Sequence, residues 1–143
     1  MPDVTNNAIS IGELARLSGL STHTLRFYEA EGILQPAGRN SGRHRQYHPA
    51  DVLWLEFVLR LKQTGMPLAE IRQYAALRAQ GETTLHARLA MLKLHRERLA
   101  TRIEELSTCA SVLDDKIGIY RQMITESGAP ADEAAHAADP QSP

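Results

Sequence analysis

The sequence predicts a mainly α-helical protein, in which a small winged helix-turn-helix head precedes one long helix. Three observations support this fold class. Apolar residues recur at helical spacing through most of the chain, aromatic residues make up only 5% of it, and a single interruption at residues 35–47 is rich in turn formers. A chain of 143 residues has room for one ordinary globular domain, or for a smaller one with an elongated appendage.

Two short helices are predicted at the start of the head. Ser10 and Glu13 have the spacing of a capping box, and Gly19 is placed to end the first helix in a left-handed conformation. Ser21 or Thr22 can cap the second helix, which a later glycine stops. Two short helices joined by a glycine-containing turn form a helix-turn-helix, although many other helical corners share this layout.

Residues 35–47 break the helical periodicity and predict a small β-hairpin, the wing. The hairpin is the most cationic stretch of the chain, because it has no acidic residue and contains Arg39, Arg43, His44 and Arg45. Two further helices are predicted at 50–64 and 67–79, since Pro49 and Pro67 each suit a first helical turn. The head therefore spans residues 9–80.

The periodicity changes to a heptad repeat over residues 83–125. Its a and d positions are apolar except for one arginine; they are Leu85, Leu89, Leu92, Arg96, Leu99, Ile103, Leu106, Ala110, Leu113, Ile117, Tyr120 and Ile124. A helix of about 40 residues is ~60 Å long, so a small head cannot bury this stripe and a second copy of the chain is expected to do so. Residues 126–143 have little to bury and are predicted to be disordered.

Composition and charge exclude several classes of protein. The formal net charge of −1 argues against indiscriminate coating of nucleic acid, although residues 1–80 have 9 basic against 7 acidic residues and residues 81–143 have 7 against 10. A single cysteine, Cys109, fits a reducing cytoplasm. No signal sequence is found, and no stretch of about 18 apolar residues that could span a membrane. The sequence also contains no recognisable catalytic constellation or cofactor motif, so neither enzymatic activity nor a bound cofactor is expected.

Several segments of the head together resemble the signature of MerR-type transcriptional regulators. They are IGELA at 11–15, GLS at 19–21, TLRFYE at 24–29, GIL at 32–34, RQY at 45–47 and GMPLAEI at 65–71. The resemblance in sequence covers residues 9–80. The long helix that follows resembles the family only in being a long helix. It is greatest to the short branch of the family that lacks a drug-binding domain and is associated with aldehyde and nitrosative stress.

The resemblance implies that the second helix enters the major groove of DNA and that the wing reaches the flanking backbone. The residues nominated for the groove and its phosphates are Thr22, His23, Thr24, Arg26 and Tyr28, and those nominated in the wing are Arg39, Arg43, Arg45 and Tyr47. Arginine can donate paired hydrogen bonds to a guanine edge or to phosphate. Tyr47 can alternatively brace the hairpin, and for each arginine a solvated surface residue without a partner is the alternative.

The wing departs from the family pattern. Many members have Gly-Tyr two residues before the wing arginine, whereas this chain has Gly42, Arg43 and His44 before Arg45. The turn is therefore expected to be shifted and Arg43 to be placed differently.

The resemblance further implies a homodimer, joined by an antiparallel coiled coil over residues 84–124, on double-stranded promoter DNA with two-fold symmetry. The activated dimer would bend and untwist the promoter so that RNA polymerase engages both of its elements. The effector is not identified. The thiolate pairs of metal-sensing members are missing, so no metal site is expected, and His86, His95 and His136 are expected at the surface.

Two other functions remain open, an architectural or excisionase-like DNA-bending protein and a coiled-coil adaptor that no longer reads DNA. Cys109 falls at a g position beside the seam, where it is either a small semi-buried filler or a candidate redox residue. The second interpretation requires two copies of Cys109 to approach each other in an antiparallel pair.

Overall fold

The structure, a computed structural model, describes residues 7–128. Its elements are β1 (Ile9–Ser10), α1 (Ile11–Ser18), α2 (Thr22–Ala30), β2 (Gly38–Arg39), β3 (Arg45–Tyr47), α3 (Asp51–Gln63), α4 (Leu68–Ala79), a short 3₁₀ helix (Glu82–Thr84) and α5 (Leu85–Ser127). The mainly helical class, the hairpin wing and the long last helix are confirmed. In the described range, no helix has the length and apolar character needed to cross a membrane.

The caps of the first two helices follow the local sequence signals. The Ser10 hydroxyl accepts a hydrogen bond from the backbone N–H of Glu13 at 3.1 Å, and Gly19 ends α1 in the left-handed conformation with φ of 75°. The Ser21 hydroxyl accepts from the N–H of Thr24 at 3.0 Å, which identifies Ser21 as the cap of α2. The turn between the two helices is therefore held by capping at both ends.

The wing belongs to a three-stranded antiparallel sheet with the order β1-β3-β2. Ile9 pairs with Tyr47 on one side of β3, and Gly38 pairs with Gln46 on the other. Strand β1 was not predicted, because two residues are too few to show strand periodicity. The central position of β3 ties the wing to the residues that lead into α1.

The core lies between the first four helices and the central strand. Its buried apolar residues are Leu14, Leu25, Tyr28, Ile33, Leu34, Tyr47, Trp54, Leu55, Val58, Leu61, Met66, Ile71, Tyr74 and Ala75. Trp54 links several segments of this core. Its indole N–H donates to the carbonyl of Ile33 at 2.8 Å, and its ring stacks on Tyr74 with centroids 5.9 Å apart. The guanidinium of Arg78 lies 4.4 Å from the centroid of the same ring.

Asp51 makes the stability of the head depend on pH. Its carboxylate accepts a hydrogen bond from the backbone N–H of His48 at 3.1 Å, yet burial is the stronger influence and raises its pKa above the ordinary value. A carboxyl with a raised pKa in the folded state binds protons more readily there than in the unfolded chain. Its contribution to stability is therefore present at acid pH and is lost as pH rises through the folded pKa.

We predict that Asp51→Asn gains stability relative to the wild type as pH rises from 4 towards 7, because the amide keeps a hydrogen-bond acceptor and carries no buried charge. Urea unfolding at several pH values measures this difference. Glu13→Gln is the matched control, since the hydrogen bond from Arg16 lowers the pKa of Glu13. The control should lose stability relative to the wild type over the same pH rise; equal pH dependence in both variants would contradict the assignment.

The described chain divides into two compact units, one up to Leu99 and one from Ala100. The first part of α5 belongs to the first unit, because Met91 and Leu92 pack against the core of the head. Glu126 and Ser127 lie in α5, so the helix continues past the start predicted for the disordered tail. Residues 129–143, the rest of that predicted tail, lie outside the described residues.

The surface position expected for His95 is wrong, since only 9% of this residue is exposed. The Thr64 hydroxyl lies 2.8 Å from the carbonyl oxygen of Arg60 and forms a hydrogen bond with Nε2 of His95 at 2.7 Å. Arg98 adds a hydrogen bond from its guanidinium to Glu70 at 3.0 Å. Two polar contacts therefore link the first third of α5 to the C-terminal end of α3 and the first turn of α4. The spacing of residues in the sequence could not reveal either contact.

Candidate nucleic-acid interface

Helix α2 presents a polar face that carries most of the residues nominated for the groove. His23 and Arg26 are exposed, Thr22 and Thr24 are partly buried, and Leu25 packs on the opposite side into the core. The Thr24 hydroxyl accepts a hydrogen bond from the Ser21 hydroxyl at 2.9 Å and so keeps its own proton for donation. The first turns of α2 thus offer hydrogen-bond donors beside a helix N-terminus, an arrangement suited to anions.

The nomination of Tyr28 for a DNA contact is corrected by its burial. Only 2% of this residue is exposed, and the ammonium of Lys62 lies 5.6 Å from the centroid of its ring. Helical spacing places Tyr28 three residues after Leu25, on the face that packs into the head. The exposed aromatic residue of α2 is its neighbour Phe27, which sequence reasoning did not single out.

A cleft of about 440 Å³ lies between α2, β1 and the wing. It is lined by Ser10, Ile11, Arg26, Arg39, Arg43, His44, Arg45 and Tyr47. The structure therefore brings Arg26 of the helix together with all three arginines of the wing, although 13 or more positions separate them in the sequence. A cleft lined by four arginines is suited to an anion with several acceptor oxygens, such as a phosphodiester.

The turn of the wing is shaped by Asn40 and Arg43. The backbone N–H of Asn40 donates to the carbonyl of His44 at 2.9 Å, and its side-chain oxygen accepts from the N–H of His44 at 2.9 Å. Arg43 has a φ of 65°, in the left-handed region that favours glycine. The guanidinium of Arg39 donates to the Arg43 carbonyl at 2.8 Å, so the two arginines are coupled through the turn.

Tyr47 and Arg45 meet on one carboxylate, that of Glu29 in α2. The Tyr47 hydroxyl donates to Glu29 Oε1 at 2.6 Å, and the Arg45 guanidinium pairs with Glu29 Oε2. Burial raises the pKa of the Tyr47 hydroxyl, which keeps it a donor at neutral pH. Tyr47 is 1% exposed and its hydroxyl is engaged by Glu29, which argues against its nomination as a phosphate contact and favours the alternative, a brace for the hairpin.

Glu29 was missed by sequence reasoning. Its only local signal is a carboxylate at the end of the helix that was expected to bind DNA, and its partners lie 16 and 18 residues away. Nothing in the sequence between them links these positions. A contact of this kind depends on how the wing packs against α2.

The absence of a metal site stays an expectation. Within residues 7–128, no group of three or more His, Cys, Asp or Glu side chains is placed to hold a metal ion. Cys109 is exposed on α5. Its interpretation as a redox residue stays a prediction.

Comparison with known proteins agrees with this geometry. The family model described as MerR HTH family regulatory protein matches residues 9–77, and the model described as MerR, DNA binding matches residues 52–116. An uncharacterised HTH-type transcriptional regulator of Haemophilus influenzae is 33% identical over 104 residues, which cover 73% of this chain and 77% of that protein.

Two solved structures are also similar. HiNmlR, described as a MerR family regulator lacking the sensor domain and bound to promoter DNA, has a TM-score of 0.70 and 30% identity over 85% of this chain and 96% of that one. A MerR family transcriptional regulator from Listeria monocytogenes has a TM-score of 0.76 and 32% identity, over 84% of this chain and 91% of that one.

Proposed function

The chain belongs to the MerR family of DNA-binding transcriptional regulators, and on that premise we propose that it binds a two-fold symmetric promoter site as a homodimer. The observation that carries the proposal is the cleft in which Arg26 and three wing arginines converge beside the exposed face of α2. The arginines of the wing, Arg39, Arg43 and Arg45, hold backbone phosphates. Helix α2 supplies Thr22, His23, Thr24 and Arg26 to the major groove.

Arg26 differs from its neighbours in a way that favours base reading. It is exposed on the second turn of a helix whose buried side fixes its orientation through Leu25. A guanidinium held in this way can donate a pair of hydrogen bonds to the O6 and N7 atoms of guanine. The wing arginines lie around the turn of a hairpin, a position typical of residues that contact the backbone.

The partner in the homodimer is the matching α5 helix of a second copy. The seam residues Ile103, Leu106, Leu113 and Ile117 are each between 46% and 63% exposed in the single chain. An apolar a/d stripe of this length is stable in water when another helix covers it. Pairing in the antiparallel sense would give the dimer a two-fold axis across α5 and would present two heads to the same DNA.

Transcription is controlled in this proposal by deformation of the promoter. Bending a short DNA site costs ~1 to 6 kcal/mol. An effector can shift an equilibrium between straight and bent DNA by a free energy of this size. RNA polymerase would then engage a promoter whose two elements the dimer has brought into line. The similarity to HiNmlR, whose crystal structure contains promoter DNA, supports promoter binding, the premise of this step. A role in a stress response is part of the same proposal.

The proposal is tested by selecting duplexes from a random-sequence library with the wild-type protein, and then measuring binding of Arg26→Ala to the selected duplex and to a scrambled one. We expect Arg26→Ala to weaken binding to the selected duplex by ~1 to 3 kcal/mol, and binding to the scrambled duplex by less. Arg98→Ala is the matched control, since Arg98 lies on α5 and does not line the cleft.

Three results would decide against the proposal. They are a selection that yields no preferred sequence, a preferred sequence without two-fold symmetry, or equal losses for Arg26→Ala on both duplexes. Preferred binding and bending without any effect on transcription from the bound promoter would instead favour the architectural alternative.

A further inference from the structure

Glu29 is the single acidic side chain in contact with the cationic residues of the cleft among the hydrogen bonds and ion pairs of the described chain. Its side chain is 11% exposed, whereas that of Arg45 is 46% exposed. One carboxylate oxygen accepts from Tyr47 and the other pairs with Arg45. Both carboxylate oxygens thus contact residues of one strand, β3.

This contact connects the two elements that the proposed function assigns to different parts of the DNA. Glu29 lies near the end of α2, and its partners lie on the central strand of the sheet. Tyr47 is 1% exposed and its hydroxyl donates to the carboxylate at 2.6 Å, so it constrains the position of the carboxylate. The carboxylate in turn fixes the guanidinium of Arg45, which is exposed enough to keep other donors for a phosphate.

A carboxylate beside a DNA-binding surface also has an electrostatic cost. It repels phosphate, and a glutamine in its place would leave the local charge one unit more positive. A residue that only increased the attraction for DNA would not be acidic. The arrangement therefore favours a role in geometry over a role in affinity.

We propose that Glu29 is a positioning residue that sets the wing at a fixed angle to α2 and holds Arg45 for one phosphate of the specific site. This inference rests on the proposed function. When Glu29 is in place, the guanidinium of Arg45 can contact a phosphate only in the geometry of the complex with the specific site. When the carboxylate is removed, Arg45 is free to pair with any phosphate within its reach.

The test compares Glu29→Gln with Glu31→Gln. Glu31 is the matched control because it lies two residues further along and pairs with Arg72 at 2.8 Å, away from the wing. Both changes remove one negative charge from the end of the same helix. Binding to the selected duplex and to the scrambled duplex is measured over a series of salt concentrations, and folding is checked by thermal unfolding.

We expect Glu29→Gln to reduce the ratio of selected to scrambled affinity about tenfold, which is the loss of one charge-assisted contact. The salt dependence on scrambled DNA should become steeper by about 0.9 in log-log slope, because a freed Arg45 neutralises one more phosphate. Glu31→Gln should raise both affinities together and leave their ratio unchanged. A merely structural role for Glu29 would change thermal stability without changing the salt slope.

An unchanged ratio in folded Glu29→Gln would overturn the inference, and so would an equal fall in Glu31→Gln. If Glu29→Gln does not fold, Glu29→Asp replaces it, since the shorter side chain keeps the charge but cannot reach both partners. We expect a reduced ratio for this variant too, and an unchanged one would overturn the inference. Wild-type protein that shows no sequence preference would refute the proposed function, whereas specific wild-type binding with unaffected variants refutes only the role of Glu29.

Discussion

Replacing Leu106 with glutamate is expected to convert the proposed homodimer to a monomer at micromolar concentration and to weaken binding to the selected duplex at least ~100-fold. Leu106 is a d residue of the seam and is 56% exposed in the single chain. In the proposed dimer its substitution would bury a carboxylate without a partner, which is strongly unfavourable. A monomer then binds each half of a two-fold site independently and loses the gain from linking two heads.

Analytical ultracentrifugation and fluorescence anisotropy measure the two effects. Thr108→Glu is the control, since it introduces the same charge two residues away at an f position, on the side opposite to the seam. The control should sediment as a dimer and bind the selected duplex as the wild type does. A dimer with normal affinity in Leu106→Glu would show that α5 does not pair through this stripe.

Replacing Trp54 with alanine is expected to lower the free energy of unfolding by ~3 to 5 kcal/mol. The change removes the ring that stacks on Tyr74 and lies against the Arg78 guanidinium, and it leaves the buried carbonyl of Ile33 without its donor. Domains of this size are typically stable by only ~5 to 15 kcal/mol. The variant should therefore lie close to the limit of folding.

Urea unfolding followed by far-ultraviolet circular dichroism measures this loss. Leu53→Ala is the matched control, because Leu53 precedes Trp54 on α3 but is 71% exposed. We expect the control to change the unfolding free energy by no more than ~0.5 kcal/mol. Comparable losses in the two variants would mean that the contacts of Trp54 do not stabilise the core more than those of an exposed leucine do.

The parts of the fold that could be predicted from the sequence are those set by neighbouring residues. Ser10, Gly19 and Ser21 act within four residues of their own position, and the caps that they form are as expected. The third and fourth helices begin within one residue of the positions that their prolines indicated. The helical periodicity of α5 is likewise a local pattern, which explains why a long last helix could be predicted.

The parts that could not be predicted depend on packing between distant segments. Tyr28 and Tyr47 have hydroxyl groups suited to phosphate, but tertiary packing buries both. Their residue types alone do not tell a core tyrosine from an interface tyrosine. His95 lies 31 residues from its partner Thr64, and Glu29 lies 18 residues from Tyr47, so no periodicity reports either contact. The arginines nominated from the sequence are brought to one cleft, and their role in binding DNA stays a prediction. The carboxylate that contacts one of them, that of Glu29, was not nominated.

The short strands of the wing also influence how the protein behaves at high concentration. Strand edges expose unpaired N–H and C=O groups that can recruit other chains into aggregates. Both edge strands here have two residues, and β2 carries the charge of Arg39. Edge strands as short as these, one of them charged, are a poor template for amyloid-like growth. This protection matters for the proposed homodimer, in which copies of the chain meet through α5 and not through the sheet.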